Sequence, residues 1–319
     1  MAKFVRRLQR IGSSSLVSLP KEWVDSNGLG RGSQVELETG PHGVSISAGG
    51  APPAKELDVR YPLPAEENIV AYVTGAYLLG YDVIRVSSKA AVPPGDREKI
   101  RDSTRWLVGM EIMEEAASKI SMQFLLDPTA LDPSRILRRM GSIALGMYED
   151  VVRGLGQDRS GLATVAARDV EVNRQYFLLV RLIRSALVDR RLAGSFHLNT
   201  DVLDYRIAAH QLENAADHIV ELARYMGGSG LAPADAARLR RAASGFGAAA
   251  SKSVEAFAAG DRRLAIEAIS MHGRFAAGLA ALRGRGQMPV GLLDMVHMFE
   301  RATRPWADMA DLVRPAYGP

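Results

Sequence analysis

The sequence predicts a multidomain chain: a small all-β unit, a small α/β unit, then an all-α pair of three-helix bundles. Three observations predict it. Short apolar runs broken by glycine fill residues 1–48. Strand-like and helix-like stretches alternate over residues 56–128. From Pro133 onward, long patterns rich in Ala, Leu, Arg and Met repeat at helical spacing.

In residues 1–48, Phe4, Val5 and Leu8, then Leu16, Val17 and Leu19, and later Val35, Leu37, Val44 and Ile46 read as short strands. Glycines at Gly12, Gly28 to Gly32 and Gly40 to Gly43 break them. Pro20 suits a first helical turn and starts one short helix through Trp23 and Val24. So few apolar side chains cannot close a core alone, which calls for a partner chain. Lys3, Arg6, Arg7, Arg10 and Lys21 precede the first acidic residue, Glu22, and form a local positive cluster. The stretch from Gly49 to Pro53 reads as a linker.

The second unit, residues 54–128, follows a βαβαββ order: strand 57–61, helix 65–79, strand 83–87, helix 94–107, then strands around 111–114 and 120–126. It contains no glycine-rich phosphate loop, histidine or cysteine, so the pattern assigns it no catalytic residue.

The helical half divides into residues 134–228 and 231–315. Helices fit 134–155, 161–190 and 200–226, and a second set fits 233–259, 261–282 and 290–313. The two sets read as an internal repeat: HQLENA at 210–215 recurs as HMFERA at 297–302, and the stretch from Leu162 to Asp169 aligns with that from Leu264 to Met271. Pro305 is expected to interrupt or kink the last helix, because it lacks a backbone donor and clashes with the preceding turn.

One concentrated acidic edge marks the candidate site. At about 100° per residue, Ala208, Leu212, Ala215, Ala216, Ile219, Ala223 and Met226 share the core-facing stripe of the third helix. Glu213, Asp217, His210 and Glu221 lie beside it within an arc of roughly 80°. On the second helix, Leu162, Val165, Ala166, Val172, Tyr176, Val180, Ile183 and Leu187 form the stripe, with Asp169 and Asn173 inside it. A carboxylate in a helix interface must be paired, hydrogen-bonded or bound to a cation. Asp169 and Asn173 opposite Glu213 and Asp217 would gather oxygens around a metal ion, with His210 and Glu221 as further ligands. The alternative is a salt bridge with Arg174 or Arg206. In the second repeat Asp169 becomes Met271, Asn173 becomes Phe275 and Asp217 becomes Arg304, so only the first bundle is expected to bind metal.

The chain has no cysteine, which excludes disulfides, thiolate metal sites and cysteine nucleophiles. Hard oxygen ligands suit Mn, Mg or Fe, and His210 leaves Zn open. No apolar run reaches membrane-spanning length and the N-terminus lacks the apolar core of a secretion signal, so a cytoplasmic protein without membrane insertion is expected. Net charge is only +4, so an argument for nucleic acid rests on the local cluster. No nucleophile, base and oxyanion donor converge, so an enzyme is not expected.

VRRLQRIGSSSLVSLPKEWVDSNGLGRGSQVEL resembles the SpoVT-AbrB family: basic strand, glycine turn, strand ending in Leu-Pro, short helix, then Gly-Leu-x-x-Gly-x-x-Val. The resemblance implies an intertwined, swapped-hairpin homodimer that binds DNA, with Arg6, Arg7, Arg10 and Lys21 at the phosphates. The sequence departs from that pattern at Ser13 to Ser15, where an arginine often follows the glycine, and at Trp23-Val24, where basic residues are frequent. ARDVEVNRQYFLLVRLI and HQLENAADHIVELARYM resemble PhoU, the phosphate-uptake regulator family, whose acidic motifs bind metal. By position, Asp169 and Asn173 match the second-helix motif and Glu213 and Asp217 the third-helix motif. Together the resemblances are similar to archaeal phosphate-uptake regulators. They imply a dimeric DNA-binding regulator of phosphate uptake with a metal-binding helical half. The rival expectation is an adaptor that docks on a phosphate transporter ATPase or sensor kinase without touching DNA.

Overall fold

The computed structural model describes residues 4–40, 43–48, 54–156, 158–189, 192, 196, 202–228, 231–284 and 288–315. The chain forms two compact units, Met1–Pro53 and Ala54–Pro319. The expected linker at 49–53 and Lys3 lie outside the described residues, as do the expected helix ends at 190 and 200.

In the first unit, β1 (Gln9–Ile11) and β2 (Ser14–Leu16) pair antiparallel with Ile11 opposite Ser14. The two-residue turn uses Gly12 at φ 61°, a conformation that costs glycine nothing. Pro20 sits just before α1 (Lys21–Ser26), and β3 (Glu36–Gly40) pairs antiparallel with β4 (Gly43–Ser47). Phe4, Val5 and Leu8 lie outside any strand, because β1 begins only where a partner strand exists to bond it. No described residue of this unit is buried: Val5 is 83% exposed, Leu8 76% and Leu37 62%.

The second unit opens on a sheet of β5 (Glu56–Tyr61), β6 (Val83–Ser88), β7 (Met110–Ala116) and β8 (Lys119–Phe124), in the order β5-β6-β8-β7. β5 and β6 are parallel, joined through α2 (Ile69–Leu78), and the other pairs are antiparallel. With α3 (Pro94–Trp106) the expected βαβαββ order is met. Alternation in β6 buries Ile84 and Val86, which share a core with Val73 and Tyr77 of α2 and Ile100 of α3.

The first bundle comprises α4 (Pro133–Gly154), α5 (Leu162–Ala186) and α6 (Val202–Gly228). Asp132 caps α4 by accepting from the Ser134 amide. The second bundle has four helices: α7 (Pro233–Ala243), α8 (Gly247–Ala259), α9 (Arg262–Ala281) and α10 (Val290–Asp311). The single helix expected over 233–259 is broken at Ser244 to Phe246. Gly245 is a poor helix former there, and Phe246 turns fully inward, its ring 4.9 Å from that of Tyr148 and 5.1 Å from that of Phe275. Pro305 does not interrupt α10, which runs through it. Thr303, two residues before it, donates its Oγ1 hydroxyl to the carbonyl of Phe299 at 2.9 Å.

Sheet and helices share one continuous hydrophobic core, and Arg181 of α5 crosses it. This guanidinium is 2% exposed, donates to the carbonyls of Tyr77 and Tyr81, pairs with Asp82 at 2.7 Å and lies 3.9 Å over the Phe124 ring. The two bundles meet where α6 packs on α10, with Tyr225 donating to Asp294 at 2.9 Å.

Candidate functional site

Residues four apart on a helix share a face, so α5 sets Asp169 above Asn173. Asn173 Nδ2 donates to Asp169 Oδ2 at 3.1 Å. The other oxygen, Oδ1, is buried and has no hydrogen-bond partner. Across the α5–α6 interface stand Glu213, half-buried, and Asp217, exposed. Burial pushes the Asp169 carboxyl up to about 6, and the negative charges of Asp217 and Glu213 add to the rise while Arg224 opposes it. Burial likewise pushes Glu213 up, with Asp217 adding and His210 opposing. The site is therefore a group of crowded carboxylates whose negative charge Arg224, His210 and Arg206 only partly offset.

The remaining candidates sit apart from that group or on its margin. His210 is exposed, with Nδ1 3.2 Å from Glu213 and Nε2 3.4 Å from Asn214. Glu221 pairs with Arg301 of α10 at 3.3 Å and lies 4.0 Å from His218, which ties it to the contact between bundles. Ala166 and Leu187, expected in the α5 stripe, are exposed, so the helix is less covered towards both ends than its pattern suggests. Of the two arginines of the salt-bridge alternative, Arg174 pairs with Glu171 at 2.9 Å, and Arg206 lies over the Tyr176 ring at 5.0 Å while its charge opposes the rise at Glu213. Among the described residues, no three His, Asp or Glu side chains are drawn together as a ready-made metal site.

The equivalent positions of the second bundle are satisfied internally. Phe275 packs on Phe246, Glu300 is neutralised by Arg283, and Arg304 turns to Asp308 at 2.7 Å. Sequence reasoning missed Arg224, the cation that opposes the rise at Asp169, and Arg181. The signal for Arg181 was a lone charge inside the apolar run from Phe177 to Ile183.

In the first unit Arg6, Arg7, Arg10 and Lys21 are all exposed, and among the described residues none forms an ion pair. Arg6 lies 5.4 Å over the Phe4 ring, and Arg10 Nε donates to the Gly12 carbonyl at 3.3 Å.

Both halves find counterparts among known families. Residues 137–226 match the PhoU domain. That match runs from α4 to the last buried residue of α6, so it contains the whole acidic site and stops before the second bundle. Residues 8–46 match the antidote-toxin recognition protein MazE, a bacterial antitoxin, and the SpoVT-AbrB resemblance is met by this MazE/AbrB-like domain. The crystal structure of PhoU from Pseudomonas aeruginosa is similar at 18% identity, covering 57% of this chain and 93% of that one, with a TM-score of 0.46. None of the curated proteins matches the chain. Among the described residues, no helix is long and apolar enough to cross a membrane.

Proposed function

We propose that the protein regulates phosphate uptake and homeostasis as a homodimer, its first unit binding DNA and its PhoU-like bundle holding a divalent or ferric metal ion. The observation that carries the reading is the coincidence of the PhoU match with the orphaned Asp169 oxygen. Within 137–226, this half-buried carboxylate, with one oxygen held by Asn173 and the other orphaned, feels the charge of two further carboxylates. Asp169, Asn173, Glu213 and Asp217 would hold the metal, and its chemistry there would be neutralisation of that charge. The protein residues then do the regulatory work. Joining α5 to α6 through their carboxylates makes the packing of the first bundle depend on site occupancy, and α6 transmits that packing to α10 through Glu221 and Arg301.

Dimerisation is supported by the first unit itself. Phe4, Val5, Leu8, Ile11, Leu16, Val17, Leu37 and Val44 are all exposed in the single chain, an apolar set that a second copy would cover. DNA contact falls to Arg6, Arg7, Arg10 and Lys21. Element-resolved metal analysis of the full-length protein, with duplex-DNA binding measured against salt, tests both halves. Stoichiometric metal and steeply salt-sensitive binding are expected; metal-free protein without DNA affinity would overturn the reading.

A second reading is favoured by Ser13 to Ser15. These serines form the turn and second strand of the basic hairpin and bring no charge to it. It makes the protein an adaptor docking on a phosphate transporter ATPase or sensor kinase, and it expects metal without DNA binding.

A further inference from the structure

An open cleft of about 530 Å³ lies between α3, the start of β7 and α5. Its volume falls in the range of small-molecule sites. Arg101, Arg105 and Arg174 line it, Leu107 and Met110, each 2% exposed, form an apolar floor, and Glu111 is the one acidic residue on the wall.

The guanidiniums are not fully neutralised. Arg101 pairs with Glu115 at 2.6 Å, but Glu115 also receives Arg97 at 2.6 Å. Arg174 pairs with Glu171 at 2.9 Å, but Glu171 also receives Arg139 at 2.9 Å. Two guanidiniums thus share each carboxylate; Glu98 and Asp102 also act on Arg101, so the surplus positive charge lies with Arg174 and Arg139. Arg105 meets only Asp102, at 3.1 Å, with both side chains more than half exposed, a pair that water screens. Arg174 Nε is also buried with no acceptor, and an unmade guanidinium hydrogen bond is unfavourable. Three arginine forks above an apolar floor match a ligand that joins phosphate groups to a flat, weakly polar body.

We propose that this cleft binds a phosphorylated small molecule of nucleotide size, its phosphates on Arg101, Arg105 and Arg174 and its apolar part on Leu107 and Met110. The cleft shares no lining residue with the acidic site or the basic N-terminal cluster, and it gives the α/β sheet a ligand-binding role.

The test is calorimetric titration of the full-length protein with ATP in EDTA, which takes the metal site out of play. Saturable binding at one ATP per chain is expected. Arg105→Gln, which removes only a screened pair, and Arg174→Gln should each weaken it by about tenfold, the scale of one charge-assisted contact. Glu111→Gln should tighten it, since it removes the opposing charge. Arg138→Gln, in the ion pair with Glu255 outside the cleft, should leave it unchanged. Absence of saturable binding up to roughly 1 mM would overturn the proposal. So would loss in Arg138→Gln equal to that in Arg174→Gln, loss only in an Arg6, Arg7 and Arg10 to Gln variant, or inorganic phosphate binding as tightly as ATP.

Discussion

Asn173 satisfies one oxygen of Asp169, at 3.1 Å, and leaves the other buried without a donor. The pair therefore holds a carboxylate in place without neutralising it. Burial disfavours its ionised form, and repulsion from Asp217 and Glu213 across the α5–α6 interface adds to that cost.

In metal-free protein the contribution of Asp169 to stability should be smaller at pH 7 than at pH 5, against an opposing contribution from His218 and His272, whose imidazoles burial holds below the usual range. The folded Asp169 carboxyl is pushed up to about 6 from an ordinary 3.8, so the fold binds this proton more tightly than the unfolded chain does. The contribution is fully present below about pH 4 and is lost as pH rises through about 6. After discounting for partial exposure, ionisation costs about 1–2 kcal/mol at pH 7. Asp169→Asn should recover most of that, so that its stability relative to the parent is higher at pH 7 than at pH 5, as read by denaturant midpoints at the two pH values in EDTA. An identical pH dependence in the variant would remove Asp169 as its source.

Arg181→Leu should destabilise the second unit by roughly 2–3 kcal/mol, because it removes the guanidinium's bonds to Asp82 and to the carbonyls of Tyr77 and Tyr81. Arg181→Lys should recover only part of this, since a point charge cannot reach all three acceptors and cover the Phe124 ring. Thermal unfolding midpoints give the order; equal midpoints for Lys and Leu would show that the ring contact and the fork contribute nothing.

Removing residues 1–53 should lower the oligomeric state, because none of the described side chains in that unit is buried within one chain. Light scattering of the 54–319 fragment beside the full chain measures it. An unchanged oligomer would move the dimer contact to the second unit.

Changing Arg6, Arg7 and Arg10 together to Gln should weaken duplex binding for every sequence tested. It should also flatten the salt dependence by roughly 0.9 per lost phosphate contact in each chain. An unaltered salt slope would exclude this patch as the DNA surface.

Much of the fold was legible because its signals are local. The βαβαββ order follows from alternation and breakers, and the helical bundles follow from stripes of small apolar residues. What the sequence hid depends on distant partners. Gly245 weakens the helix expected over 233–259, but the break serves Phe246, which fills a space bounded by Tyr148, Phe275 and Trp306. Pro305 points to a break, yet burial at the helix contact holds α10 through it. At the candidate site, helical spacing placed Asp169 with Asn173 and gave Glu213 and Asp217 a common face. It could not show that Glu221, on the same acidic edge, is taken by Arg301 from another helix.

The sharpest test lies in the difference between the bundles. Glu213 and Glu300 occupy corresponding positions, but Glu300 is neutralised by Arg283, and Phe275 and Met271 replace the oxygens that Asn173 and Asp169 would supply. In the first bundle burial first, and neighbouring negative charge second, raise the proton affinity of Asp169 and Glu213, and the share that comes from neighbouring negative charge favours a cation as well. Asp217→Asn removes one of these charges at an exposed position, so it should not disturb the fold. It should lower metal content after dialysis by about tenfold, as expected for losing one anionic ligand. Glu300→Gln breaks only the pair with Arg283 and should leave metal content at the parent level. Equal loss in the two variants would end the asymmetry, and a metal-free parent would return Asp169 to a purely structural role.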